Sequence, residues 1–388
     1  MRNSRATLIS KMVLAACFCA MQGCAEDAVV PECAPGFAAP AATSASITSQ
    51  LEGIKEKYKL NAIIFGAEQD GKPLVRTALG VSTNGVPATT DMHFRIGGVG
   101  WQYLATVLLR MVDQNPNQIA LTDRVSKWYP NYPYADLATV RMLAASSAGF
   151  GEYIDSQPFL NEVGTNPLRS WTADELIARS VPPYVQKPQF TNPGQWWDYS
   201  HTGFVMLGSI LEKASGKTYA LLLKEMVLDP LGLRDTRIQF DAAPQLPVLH
   251  TLTEDQFQDS TYWNPSFVSW GALTSNICDL GTWNRAFGTG SLLPPGLRGE
   301  ITSPVNVGLG INRAQGYFGL GTIVQNPWIV FHAAYWGMYT STAYDPTTGI
   351  SLAVTLSLSR DSPPGIQPSK EIIAAISKLL TPDHPVPN

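Results

Sequence analysis

The sequence predicts an α/β fold in which one sheet is assembled from both ends of the chain and a helical part is inserted between them. Three observations predict it. Strand-like apolar runs stand near the start at 61–65 and 74–80. Three more stand near the end at 328–332, 341–344 and 350–358. Helical periodicity, broken by Pro-rich loops, fills the middle.

The elements follow in order. Over 46–58, Ile47, Leu51, Ile54 and Tyr58 fall at helical spacing with Lys and Glu between them. The first two strand runs flank Asp70-Gly71, a hairpin signal. The segment 103–112 is strongly helical. The middle breaks at Val181-Pro182-Pro183 and at Asn192-Pro193-Gly194. The segment 202–214 is a helix that Ser215-Gly216 stops. Asp345-Pro346-Thr347-Thr348-Gly349 is a hairpin turn between the last two strands, and 370–380 closes the chain as a helix. No internal repeat is visible.

Composition narrows the class. A length of 388 residues fits one large domain or two medium ones. Charged residues are only 15%, against roughly 25% in an average soluble domain. With 27 Lys+Arg against 31 Asp+Glu, no basic surplus exists to neutralise phosphates, so nucleic acid is excluded as a partner. The 32 Gly and 29 Pro follow no period, which excludes collagen-like and low-complexity chains.

The N-terminus reads as a secretory signal over 1–24. Arg2, Arg5 and Lys11 precede an apolar run over 12–21, too short to span a bilayer, and Gln22-Gly23-Cys24-Ala25 follows. The pattern also resembles a bacterial lipoprotein signal, with lipidation at Cys24 or, in Leu14-Ala15-Ala16-Cys17, at Cys17; ordinary cleavage near Ala25 is the plainer alternative. A multi-acyl modification would anchor the protein to a membrane, at about 0.8 kcal/mol per buried methylene. The expected location is the periplasm or cell envelope, or the medium if no lipid is added. Residues 25–45, rich in Ala, Pro and Ser, read as a linker, and 46–382 as the folded domain. Its sheet part is 46–97 with 285–382, and its helical part about 98–284. An oxidising compartment would permit a bridge between Cys33 and Cys278, but the sequence leaves their pairing open. Their spacing offers no zinc site, and neither a metal nor a cofactor is expected. The oligomeric state is not legible.

Several blocks then carry a resemblance. Phe94-Arg95-Ile96-Gly97-Gly98-Val99-Gly100-Trp101 opens the first long helix. Trp197-Asp198-Tyr199-Ser200-His201-Thr202 comes next, followed by Leu207-Gly208-Ser209-Ile210-Leu211-Glu212 and Asp229-Pro230-Leu231-Gly232-Leu233. Trp270-Gly271-Ala272-Leu273-Thr274-Ser275 and Phe331-His332-Ala333-Ala334 complete the set. In order and spacing these resemble the serine β-lactamases and penicillin-binding DD-peptidases, particularly the class C and carboxypeptidase/esterase branch. The resemblance covers roughly 46–382. It implies an antiparallel sheet flanked by the terminal helices, with a helical subdomain on its face and a cleft between them.

That family's chemistry needs a serine hydroxyl activated by a base one helical turn away, and backbone N–H groups to hold the oxyanion. Set on the resemblance, the Ser-x-x-Lys motif reads Gly98-Val99-Gly100-Trp101. Glycine has no nucleophile, and an indole N–H accepts no proton. The Tyr-x-Asn motif reads Tyr199-Ser200-His201, and the glycine of the strand motif is Ala334. Where the family usually has His-Thr-Ser-Gly, this chain has Ala145-Ser146-Ser147-Ala148-Gly149. Tyr199 and His332 are retained.

Each candidate has a plain reading beside the functional one. Tyr199 is either an acid/base phenol or a packed aromatic. His201 is either a titrating group near pH 6.5 or a filler of vacated space. His332 is either a ligand contact or a strand-edge hydrogen-bonding group. Trp101, Trp263 and Trp270 either line the cleft or belong to the core, where large aromatics usually lie. The expectation is an exported β-lactamase-like protein without the nucleophile pair. It binds a small molecule, or acts on it non-covalently, in a cleft of Gly98, Trp101, His332, Ala334, Trp263 and Trp270. Two alternatives stand beside it. One is a hydrolase, isomerase or lyase using Tyr199 and His201 as acid and base. The other is an envelope partner or regulatory protein.

Overall fold

Strands from the two ends of the chain interleave in one antiparallel sheet. The computed structural model describes residues 33–83, 85–181, 192–240, 244–254 and 258–387. The signal, Cys17, Cys24, the linker up to residue 32, and Pro182-Pro183 lie outside the described residues. Among the described residues eleven strands form: β1 (Gly36–Phe37), β2 (Ala62–Gln69), β3 (Lys72–Gly80), β4 (Phe94–Arg95), β5 (Arg237–Ile238), β6 (Leu273–Ser275), β7 (Gly316–Phe318), β8 (Ile323–Gln325), β9 (Trp328–Tyr335), β10 (Met338–Tyr344) and β11 (Ile350–Ser357). The large sheet runs β1-β3-β2-β11-β10-β9-β8-β7, and every pairing in it is antiparallel. The junction of the two chain ends is β2 with β11, from Ala62 opposite Ser357 to Gln69 opposite Ile350.

Strand alternation gives this sheet two different faces. On β11, Ile350, Leu352, Val354 and Leu356 join the core under the terminal helices, where Ile47, Leu51 and Ile54 of Ala41–Lys57 meet Ile372, Ile373 and Ile376 of Pro368–Leu380. The other face carries small residues, Ser351, Ala353 and Thr355. The helix Ile277–Thr289 therefore packs close: a Cβ built on Gly66 would lie 3.2 Å from Ile277, and Asn284 Nδ2 donates to the Ser351 hydroxyl at 2.9 Å. The same face continues into the larger core, around the helices Gly100–Gln114 and His201–Ser215.

Three expectations change. Residues 33–45 are not linker: Cys33 is disulfide-bonded to Cys278 with Cα atoms 5.8 Å apart, β1 pairs with β3, and the first helix begins at Ala41. The segment 98–284 is not purely helical, since β5 and β6 join β4 in a three-stranded sheet. The boundary at 284/285 falls inside the helix Ile277–Thr289, which belongs to the sheet packing. The helix 202–214 forms as His201–Ser215 and ends on Gly216 at φ 71°, the left-handed stop that glycine favours. Among the described residues no helix is long and apolar enough to cross a membrane.

Candidate ligand cleft at the free edge of β9

Pairing of β8 with β9 ends at Val330, so Phe331 to Tyr335 form an edge without a β8 partner. A cleft of about 700 Å³ opens there. Gly98, Tyr199, His201, His332 and Ala334 border it together, with Trp197, Phe318, Ile323 and Phe331 as apolar walls.

The floor is built from the turn before the helix Gly100–Gln114. Gly97 sits at φ 51°, and a Cβ there would lie 3.1 Å from that of Ala333, so this approach of turn to strand requires glycine. A Cβ built on Gly98 would lie 2.6 Å from Phe331 Cε1, 2.9 Å from Phe331 Cζ and 2.9 Å from the Tyr199 hydroxyl oxygen. The Phe331 ring and the Tyr199 phenol thus occupy the space a side chain at position 98 would need.

Trp101 lies beneath this floor. It is 1% exposed and does not line the cleft. Its ring stacks on Phe204, centroids 4.6 Å apart and planes 5° apart, and abuts Gly271, where a Cβ would lie 2.8 Å from the indole. Its Nε1–H donates to the Tyr199 hydroxyl oxygen. Burial pushes the Tyr199 phenol well above its ordinary ionisation range. The nearby Glu152 carboxylate adds to that, and the Trp101 hydrogen bond opposes it. Tyr199 is accordingly neutral, and its oxygen is already engaged.

His201 opens its helix behind the N-cap Ser200, whose hydroxyl accepts from Gly203 N–H at 3.0 Å. The His201 N–H donates to Glu152 Oε2 at 2.5 Å. Its ring Nδ1 is buried without a hydrogen-bond partner, 3.7 Å from that same oxygen. Glu152 is itself buried and also accepts from Ile154 N–H at 3.1 Å. Burial, and then the charge of Glu152, raise the carboxyls of Asp155 and Asp198 nearby.

His332 alternates with Phe331 and turns toward the C-terminal helix. It pairs across the strands with Ser341, whose Oγ lies 2.9 Å from Nδ1 and donates to Ser369 Oγ at 2.8 Å. Burial, then the Lys370 ammonium, push this imidazole down to about 3, so it is neutral near pH 7. Lys370 and Gln325 also line the cleft, and Gln325 Oε1 is buried without a partner.

The expected cleft tryptophans divide. Trp270 is core: its indole N–H donates to the Val205 carbonyl at 2.8 Å and its ring packs against Tyr219 and Phe240. Trp263 lines a second cavity, which Ala334 also borders. Phe331, Glu152, Lys370 and Gln325 escaped the sequence reading. Strand alternation was a usable signal for Phe331, because His332 and its neighbour cannot face the same way. For Glu152 no local signal existed. Among the described residues no group of three or more His, Cys, Asp or Glu is placed to hold a metal.

The profile of a family described as Beta-lactamase matches residues 47–374. Penicillin-binding protein 4* of Bacillus subtilis (strain 168) is 23% identical over 317 residues, covering 75% of this chain and 66% of its own length. Esterase EstB of Burkholderia gladioli is 27% identical over 210 residues, covering 50% of this chain and 52% of its own length. This chain therefore spans between about half and two thirds of those relatives. The D-amino acid amidase from Ochrobactrum anthropi SV3 complexed with L-phenylalanine amide superposes with a TM-score of 0.75 at 20% identity, over 88% of this chain and 99% of that one. The D-stereospecific amidohydrolase from Streptomyces sp. does so with a TM-score of 0.71 at 24% identity, over 81% and 94%. Both superpositions speak to the fold.

Proposed function

The chain belongs to the Beta-lactamase family, and from that premise we propose that it keeps the family's cleft without its serine chemistry, binding a small, largely apolar molecule there with no acyl intermediate. The observation that carries this reading is the filled space above Gly98. Phe331 ring atoms would stand 2.6 and 2.9 Å from any Cβ, and below them Trp101 is packed as core. A drifting motif would leave a void, and this corner is packed like an interior. The relatives bear names of penicillin-binding protein, esterase and amidase, so the reading separates this chain from their reactions while keeping their site.

The test is incubation of the full chain with a fluorescent penicillin and with a fluorophosphonate, followed by intact mass measurement. No adduct is expected. A stoichiometric adduct on any serine overturns the proposal.

A second reading rests on the 3.7 Å approach of Glu152 Oε2 to His201 Nδ1. Here His201 carries a proton for a hydrolase, isomerase or lyase, with Glu152 as its positioning residue. Tyr199 is the weaker half of the expected pair, being half-buried, neutral and hydrogen-bonded to Trp101. Turnover of a small apolar ester that survives Tyr199→Phe and is lost in His201→Gln would establish this reading. Export, a lipid at Cys24 or Cys17 and an envelope partner belong to the proposal as its cellular setting. Mass measurement of the mature N-terminus and crosslinking in the native envelope test them.

A further inference from the structure

The geometry points to a second ligand site, a groove for a neutral oligosaccharide on the far side of Ala334. Ala334 borders the cleft above and also a separate open cavity of about 900 Å³. One wall is the helix Gln157–Thr165, with Gln157 and Asn161 one turn apart; the other holds Glu254, Gln258, Trp263 and Trp336.

Three features select the ligand. First, among the described residues no Lys, Arg or His lines the cavity and Glu254 is the single charged group, so a phosphate or a polyanion finds no counter-charge there. Second, the polar lining is mostly amide, which both donates and accepts. Gln157 Nε2–H donates to Asn161 Oδ1 at 2.8 Å. That leaves the Gln157 oxygen and the Asn161 amide N–H groups without a protein partner among the described residues.

Third, Trp336 sits at φ 45° as the first residue of the two-residue turn Trp336-Gly337, which needs positive φ at both positions and so fixes where the indole projects. It occupies the tip of the β9–β10 hairpin beside Gly337, and several contacts hold it there. Its ring meets Trp263 with centroids 4.7 Å apart and Phe267 at 5.4 Å, and its carbonyl accepts from the Ser260 hydroxyl at 3.0 Å and the Thr251 hydroxyl at 3.3 Å. Held this way, Trp336 presents a fixed aromatic surface to an open cavity. Flat apolar rings opposite neutral amides complement a sugar, which has an apolar C–H face and a rim of hydroxyls.

The site is separate from the first cleft, so the two readings fail separately. The test is calorimetric titration of the full chain with chitohexaose, cellohexaose and maltohexaose. At least one should bind with submillimolar affinity, and Trp336→Ala should weaken it by about tenfold or more. Gly164→Trp should abolish binding with an unchanged circular dichroism spectrum. It lines the groove at a position where a Cβ meets nothing within 4 Å, so it decides the matter if Trp336→Ala fails to fold. Binding of an apolar probe in the first cleft should not respond to either variant. No binding of any of the three sugars at millimolar concentration overturns the inference. So does binding that Gly164→Trp leaves intact, or capture of a neutral alanine tripeptide in their place.

Discussion

The two ends of the first cleft are built on opposite principles. At the floor, Gly98, Trp101, Tyr199 and Phe331 interlock, with an indole stacked 4.6 Å from Phe204 and a ring filling the space over glycine. At the strand edge, His332, Ser341 and Ser369 form a hydrogen-bonded chain, and Lys370 faces the opening with no ion-pair partner among the described residues. The floor is packed like protein interior, and the edge carries polar groups beside solvent. The difference teaches that one cleft can be closed like protein interior at one end and keep hydrogen-bonding groups beside solvent at the other.

The strongest way to break this comparison is Trp101→Lys. The change removes a stacked, 1%-exposed ring and places an ammonium among Phe204 and Gly271. A loss of about 3–5 kcal/mol of unfolding free energy is expected by denaturant titration. A loss below about 1 kcal/mol would show that the floor is not core.

Next is Gly98→Ser, expected to cost about 1–3 kcal/mol because its Cβ meets Phe331. Adding Phe331→Ala should relieve that clash, so the double variant should be more stable than the sum of the single losses predicts. Strict additivity would mean that the ring does not oppose position 98. Gly98→Ser alone should still yield no penicillin adduct.

The last test sharpens the edge, where near neutral pH no loss of stability is expected from this group. His332 is pushed down to about 3 from an ordinary 6.5, so the unfolded chain binds the extra proton first. Its contribution is fully present above pH 6.5 and is lost as pH falls toward 3. The slope from this one group is at most about 1.4 kcal/mol per pH unit. His332→Gln should flatten the acid limb of a stability curve measured between those pH values. An unchanged limb would place the imidazole in water.

Much of this architecture was legible in residue patterns. The strand runs at 61–65, 74–80, 328–332, 341–344 and 350–358 and the helices at 103–112, 202–214 and 370–380 all form, within a few residues of their expected bounds. The strands β7 and β8 were not legible, because three residues each are too few to display a period. The linker reading failed at 33–45 because composition cannot register a disulfide or an edge pairing. At the site, Gly98 and Trp101 stood out by their side-chain chemistry alone. Of the two readings of Trp101, the core one holds: the ring went under the floor rather than lining the cleft, and Phe331 took the space above Gly98. Trp263 and Trp270, grouped by being aromatic, parted into a second cavity and the core.

By itself the sequence determined the local facts: which windows carry a helical or an alternating period, where glycine stops a helix, and that positions 98 and 101 hold neither a hydroxyl nor an amine. Each of these depends on residues within one or two turns of each other or on a single side chain. Only the tertiary structure decided that Phe331 faces Gly98 while His332 faces Ser341, that Cys33 joins Cys278, and that Ala334 separates two cavities. Those outcomes hang on strand register and on packing between segments far apart in the chain. A one-residue slip would send every side chain of β9 to the other face, and no local window records which register the core selects.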